Sequence, residues 1–210
     1  MMHGLNNTYL YAAKKIVAKW SDGNSQVELR GTGFFVQKDS DFFLITNRHV
    51  VEPGYSDAKY KGFKVVDFIV EHFEDTDAAG IPITAKSTSV ANWNEFKFHQ
   101  NVYNDVACLK NPTAIGGITI IAPISYSMLA AETWISQKLS VCDTIAYPGF
   151  PDWFDKQNNT PIFRMGTIAS DPRLNYSCYP GEPIASRIAY EGFSTGGASG
   201  SPVFAIQRGF

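Results

Sequence analysis

The chain has 210 residues, a formal net charge of −2, 44% hydrophobic residues and only 18% charged ones. That length suits one large all-β unit or two small lobes with enough apolar side chain for a real core. The slightly acidic balance, free of charge blocks, excludes a nucleic-acid footprint, and no apolar run approaches the roughly 18 residues that span a bilayer.

In chain order, the opening stretch lacks a basic start followed by a continuous apolar run, so it does not read as a signal peptide. Residues 9–20 fit helical spacing, but Ile16-Val17 and the turn cluster Ser21-Asp22-Gly23-Asn24 favour a strand. Apolar segments over 26–37 and 42–46 follow, parted by Asp39-Ser40-Asp41, and then segments over 62–71, 81–85 and 102–110. Residues 111–135 read as a crossover between two halves. Residues 141–147, 161–169, 183–190 and 202–207 complete the set of expected strands. Phenylalanine (15) and tyrosine (10) are frequent in these segments, as pleated, half-buried surfaces favour. Many short strands with few long helical patterns argue for an all-β barrel or sandwich.

Three cysteines, Cys108, Cys142 and Cys178, give an odd count without the close spacing of a zinc or redox motif. A reduced, cytoplasmic setting is the simpler expectation. No His, Cys, Asp or Glu cluster has metal-ligand spacing, so neither a metal nor another cofactor is expected.

The histidines are His3, His49, His72 and His99. His49 lies in Leu44-Ile-Thr-Asn-Arg-His-Val-Val51, within one turn of the end of an expected strand, where a base has a rigid platform. A half-buried histidine satisfied by backbone groups is the plainer reading of that stretch alone. Asp105 heads the apolar run before Lys110. Strand interiors disfavour aspartate, and a buried carboxylate needs donors; an imidazole N–H is one, and a turn cap is the alternative. Ser199 lies in Gly196-Gly-Ala-Ser-Gly-Ser201. Glycines there permit a tight turn with positive φ that aims backbone amides into one hollow. A flexible loop is the alternative, but the run continues straight into Pro-Val-Phe-Ala-Ile206, which reads as core strand. A serine hydroxyl needs a base to take its proton, and the base needs an acid to fix its tautomer. His49, Asp105 and Ser199 supply those three parts.

Gly31-Thr-Gly-Phe-Phe-Val36, Ile45-Thr-Asn-Arg-His49, Asn104-Asp-Val-Ala107 and Gly197-Ala-Ser-Gly-Ser-Pro202, in that order, resemble the trypsin-like (chymotrypsin-fold) serine peptidases, closest to their bacterial, disulfide-free members. Ala146-Tyr-Pro-Gly149 and Phe163-Arg-Met-Gly-Thr-Ile-Ala169 look like second-barrel strands of that family. The resemblance implies two six-stranded Greek-key β-barrels, an N-terminal lobe over residues 1–115 and a C-terminal lobe over 116–210, with the site in the cleft between them. It implies His49 as general base and then general acid, Asp105 as its orienting partner, and Ser199 as the nucleophile. The amides of Gly197 and Ser199 become the oxyanion hole, where one donor is worth about 3–4 kcal/mol in related chemistry. Phe193 falls near the base of the substrate pocket, and the partner is a peptide or protein substrate.

Two features depart from the family pattern. Ala198 stands where zymogen-type members carry an aspartate that receives a newly cut N-terminus, so no such activation is expected. The chain reaches Phe210 soon after Ser199, which implies a second barrel left incomplete or completed unusually. Both favour an alternative, a protease-like module that binds peptide without turnover; the intact His, Asp and Ser argue against it. An α/β-hydrolase is rejected because no histidine follows Ser199. A nucleotide-binding turn at Gly31-Thr-Gly33 is rejected because Val36 occupies the third glycine's place.

Overall fold

The computed structural model describes residues 5–193 and 195–206. His3 and the expected strand position Gln207 lie outside the described residues.

Residues 7–12 form a 3-10 turn rather than the beginning of a strand. Asn6 causes this, because its side-chain oxygen accepts from Thr8 N at 2.9 Å and diverts the backbone from strand pairing. The strand begins one residue later. The first sheet contains β1 (Ala13–Ser21), β2 (Gln26–Lys38), β3 (Asp41–Thr46), β4 (Lys64–Thr76), β5 (Pro82–Ser89), β6 (Lys97–Phe98), β7 (Ala107–Lys110) and β8 (Ile124–Ser125). Its order is β5-β4-β1-β2-β3-β7-β6, with β8 alongside β2. The second sheet contains β9 (Thr144–Gly149), β10 (Ile162–Ile168), β11 (Tyr190–Gly192) and β12 (Phe204–Ala205), in the order β11-β10-β9-β12. All pairings are antiparallel except β2 with β8. The protein is mostly β, and among the described residues neither sheet closes on itself. No helix among them is long and apolar enough to cross a membrane.

The β1–β2 hairpin follows from its turn. Asp22 Oδ1 accepts from Asn24 N (2.9 Å) and Ser25 N (2.8 Å), closing the reversal that sets Ser21 opposite Gln26. β1 pairs on both edges and is buried on both faces, so its apolar residues do not alternate. Ile16, Ala18 and Trp20 pack there with Phe35, Leu44, Phe68 and Leu109, each large side chain contributing roughly 1.5–3 kcal/mol. The second sheet has a much smaller core of Ile145, Tyr147 and Ile168. An apolar trough of about 770 Å³ lies between β9, β12 and the helix α2 (Glu132–Lys138), and Trp134, Ile145 and Val203 line it.

Two expected strands are corrected. Residues 102–106 form a loop, and β7 starts only at Ala107. Asn101 Oδ1 accepts from Tyr103 N (3.0 Å), so a side chain satisfies a donor the ladder would need. Residues 183–189 are irregular up to β11, downstream of the Pro180-Gly181 and Pro183 breaks. The crossover contains β8 and the start of α2, which runs on to Lys138, past the expected limit.

Candidate active site

β3 ends at Thr46, and after Asn47 the chain enters the one-turn helix α1 (Arg48–Val51). Val50 and Val51 point into the first core, fixing the turn so that His49 lies on its outer side, with its side chain 25% exposed. Arg48 anchors the other flank. Its guanidinium lies 4.8 Å from the Tyr55 ring centre and 4.6 Å from that of Phe98, and it pairs with Glu52. That planar cation between two rings ties α1 to β6. The Glu52 carboxylate also raises the Arg48 pKa above its usual range.

Asp105 meets His49 twice. Its Oδ2 lies 2.5 Å from His49 Nδ1, and its Oδ1 accepts from the His49 main-chain N–H at 2.9 Å. Asn47 Nδ2 donates to the Asp105 carbonyl at 2.5 Å. Partial burial works to raise the Asp105 carboxyl, but the bonds from the His49 ring and main chain outweigh it and hold the group below the usual carboxylate range. A carboxylate accepting from Nδ1 fixes the tautomer in which Nε2 is free to take a proton. Beside Asp105 opens a cleft of about 710 Å³ that includes Tyr55, Tyr103 and Arg187 in its walls. Asn101 and Asn104 cross it to reach Ile184 O (2.7 Å) and Ser186 N (2.9 Å).

Ser199 is held by β2. Thr32 N donates to Ser199 O at 2.7 Å, and Thr32 Oγ1 donates to Gly197 O at 2.7 Å while accepting from Phe150 N at 3.1 Å. Thr46 Oγ1 in turn donates to Thr32 O at 2.8 Å. The turn needs its glycines: φ is +84° at Gly197 and +89° at Gly200, and a methyl group at either would collide with the carbonyl oxygen of Phe150 or Thr32. A Cβ built on Gly31 would lie 2.9 Å from Val50 Cγ2 and 3.3 Å from Ser199 O. The residue after His49 and the backbone of Ser199 therefore flank one point. Among the described residues, the amides of Gly197 and Ser199 donate to no acceptor, and no hydrogen bond joins Ser199 Oγ to His49. Catalytic hydrogen bonds are often long without substrate and tighten in the complex.

Phe193 is 66% exposed, its ring 6.0 Å from that of Trp153, and its carbonyl accepts from Tyr147 Oη at 3.2 Å. Ala198 is buried. His72 is a core histidine bonded to Thr88 Oγ1 at 2.9 Å, and burial lowers its pKa. Among the described residues no group of His, Cys, Asp and Glu is placed to hold a metal ion.

Sequence reasoning missed Thr32, Asn47 and Arg48, which hold the other groups in place. For Thr32 the signal was present: a threonine between two glycines inside an expected strand marks a close backbone approach.

Comparison with curated proteins gave no match. The family model described as trypsin-like peptidase domain matches residues 31–210, from the Gly31-Thr-Gly33 approach through α1 to the Ser199 turn, and the chain belongs to the trypsin-like peptidase family.

Proposed function

We propose that the protein is a serine endopeptidase that cleaves peptide or protein substrates through Ser199, His49 and Asp105. The observation that carries this is the double contact of Asp105 with His49, on a helix whose next residue flanks the point approached by Ser199 O. In the proposed reaction His49 Nε2 takes the Ser199 proton as Oγ bonds to the substrate carbonyl carbon. The positive charge on the imidazole is offset by Asp105 through Nδ1–H. The oxyanion of the tetrahedral intermediate accepts from the amides of Gly197 and Ser199, which donate to no acceptor among the described residues. Collapse breaks the C–N bond, Nε2–H protonates the departing amine, and water enters by the same steps in reverse to free Ser199.

The two sheets are read as the two barrel halves, with lobes over residues 1–115 and 116–210. Phe193, beside Trp153, is read as an apolar wall on the substrate side.

A fluorophosphonate probe tests the proposal. The folded chain is expected to be labelled at Ser199, Ser199→Ala to lose all labelling, and His49→Ala to lose nearly all of it. A well-folded chain that takes no label would instead support a peptide-binding module, a reading favoured by the missing Ser199–His49 hydrogen bond.

A further inference from the structure

His99, one residue past β6, is an exposed histidine that the proposed reaction does not use. Its Nδ1 accepts from the main-chain N–H of Asn101 at 3.0 Å and lies 3.1 Å from Asn104 Nδ2. A main-chain N–H can only donate, so Nδ1 carries no proton and the imidazole is neutral, with its proton on Nε2. The Asn104 amide is fixed in the same way from its other end. Its Oδ1 accepts from the Ser186 N–H at 2.9 Å, which leaves Nδ2 to donate to His99. A second strut runs beside it, where Asn101 Nδ2 donates to Ile184 O at 2.7 Å. Together the two asparagines hold residues 184–186, on the approach to β11, against the loop that carries Asp105. Ala185, between the two anchor points, is only 3% exposed.

This arrangement depends on the charge of one ring. Histidine changes charge between pH 5 and pH 8, and an imidazolium donates from both nitrogens. Protonated His99 would turn an Nδ1–H toward two donors. Asn104 could turn its amide over and offer Oδ1 to that proton, but its NH2 group would then meet the Ser186 N–H. No orientation of Asn104 satisfies both ends, and the Asn101 N–H loses its acceptor in either. We propose that His99 is a pH-sensitive clasp: neutral, it ties residues 184–186 to the Asp105 loop; protonated, it releases them. The titratable and charged groups facing the same cleft are Tyr55 from the segment after α1, Tyr103 and Asp105 from the loop, and Arg187 from before β11. Arg187 pairs with Glu182 and Asp105 with His49, so the acidic groups nearby are committed to other partners. Asn104 directly precedes Asp105 in the chain. Release therefore loosens the loop on which the proposed acid stands, a consequence that, unlike the clasp itself, rests on the role proposed above for Asp105.

Nuclear magnetic resonance of the full chain, titrated from about pH 8 to about pH 5, tests the clasp. The His99 ring signal gives its own midpoint. The amide signals of Asn101 and Ser186 should shift upfield with that same midpoint as their acceptors are lost. His99→Asn places a non-titrating acceptor where Nδ1 stands, so both amide signals should then stay near their native pH 8 positions throughout. Asn104→Ala cuts the relay, and Ser186 should cease to follow the ring while Asn101 still does. A native Ser186 signal that stays put while the His99 ring titrates overturns the proposal, as does a shift that persists in His99→Asn. The native titration alone can give the first of these results, so the test does not depend on either variant folding. No labelling of Ser199 enters the measurement, and a failure of the peptidase reading would leave its outcome standing.

Discussion

At the scale of single residues, the short bond between His49 and Asp105 makes a definite demand on chemistry. In the proposed reaction, Asp105→Asn leaves the fold intact but lets the imidazole adopt the wrong tautomer, and turnover should fall by about 10⁴-fold. Circular dichroism with a rate measurement checks both halves, and near-normal rates would remove Asp105 from the mechanism. The same contact sets a pH dependence. The Asp105 carboxyl titrates below its usual range in the folded chain, so the unfolded chain takes up its proton first as pH falls. The stabilisation is complete above the ordinary carboxylate range, about pH 4, and is lost as pH drops through the folded value. Acid unfolding should therefore be steeper in the native chain than in Asp105→Asn. Arg48 yields a further expectation: Arg48→Ala removes both ring contacts and the Glu52 pair and should cost about 1–2 kcal/mol in urea unfolding. These residues were unequally legible. His49, Asp105 and Ser199 stand in local patterns that reveal their chemistry, whereas Thr32 is marked only by its flanking glycines, and the Phe98 ring that Arg48 meets lies far along the chain, where no local pattern records it.

At the scale of elements, the site depends on a latch between β2 and the turn that carries Ser199. Thr32 contributes its amide and its hydroxyl, and Thr46 on β3 steadies it from behind. Thr32→Val retains the shape and the main-chain bond but deprives Gly197 O of its donor and Phe150 N of its acceptor. Leaving buried backbone groups unpaired should cost about 1–3 kcal/mol, and fluorophosphonate labelling should slow at least about tenfold, with Thr32→Ser restoring both. Unchanged labelling in Thr32→Val would show that the turn is held by its own glycines. Strands read from apolar runs were recovered where the run pairs on both edges, as in β1 and β2. They were misread at 102–106 and 183–189, where asparagine side chains and Pro-Gly breaks outcompete the ladder. Hydrophobicity alone could not separate those cases, because Val102, Tyr103 and Ile184 are apolar yet exposed.

At the scale of the whole molecule, the first sheet holds most of the core, and the N-terminal segment ties the two sheets together. Tyr9 stacks against Phe204 of β12, with ring centres 5.2 Å apart. Lys14, buried in β1, donates to Tyr11 O (2.5 Å) and to Ile121 O in the crossover (2.9 Å). Burial lowers the Lys14 pKa to about 7. The folded chain therefore binds fewer protons than the unfolded chain between about pH 7 and pH 10.5, and stability from this group should rise with pH across that window. Thermal unfolding across it should show that rise in the native chain and a flatter profile in Lys14→Met. Family membership was legible from ordered motifs, because each motif is a local solution to a backbone problem. The contacts that bring the motifs together, such as those of Thr32 with Gly197 and Ser199, were not, since contacts between distant segments leave no short-range mark.

The central claim is that the imidazole of His49 and the hydroxyl of Ser199 meet on the substrate's carbonyl group. A crystal structure of the fluorophosphonate-treated protein measures this most directly. The account predicts phosphorus bonded to Ser199 Oγ, His49 Nε2 within about 2.6–3.2 Å of that oxygen or of the phosphonyl group, and a phosphonyl oxygen in reach of the Gly197 and Ser199 amides. A phosphonylated Ser199 with the imidazole well outside that reach, or phosphorus on another residue, would contradict it.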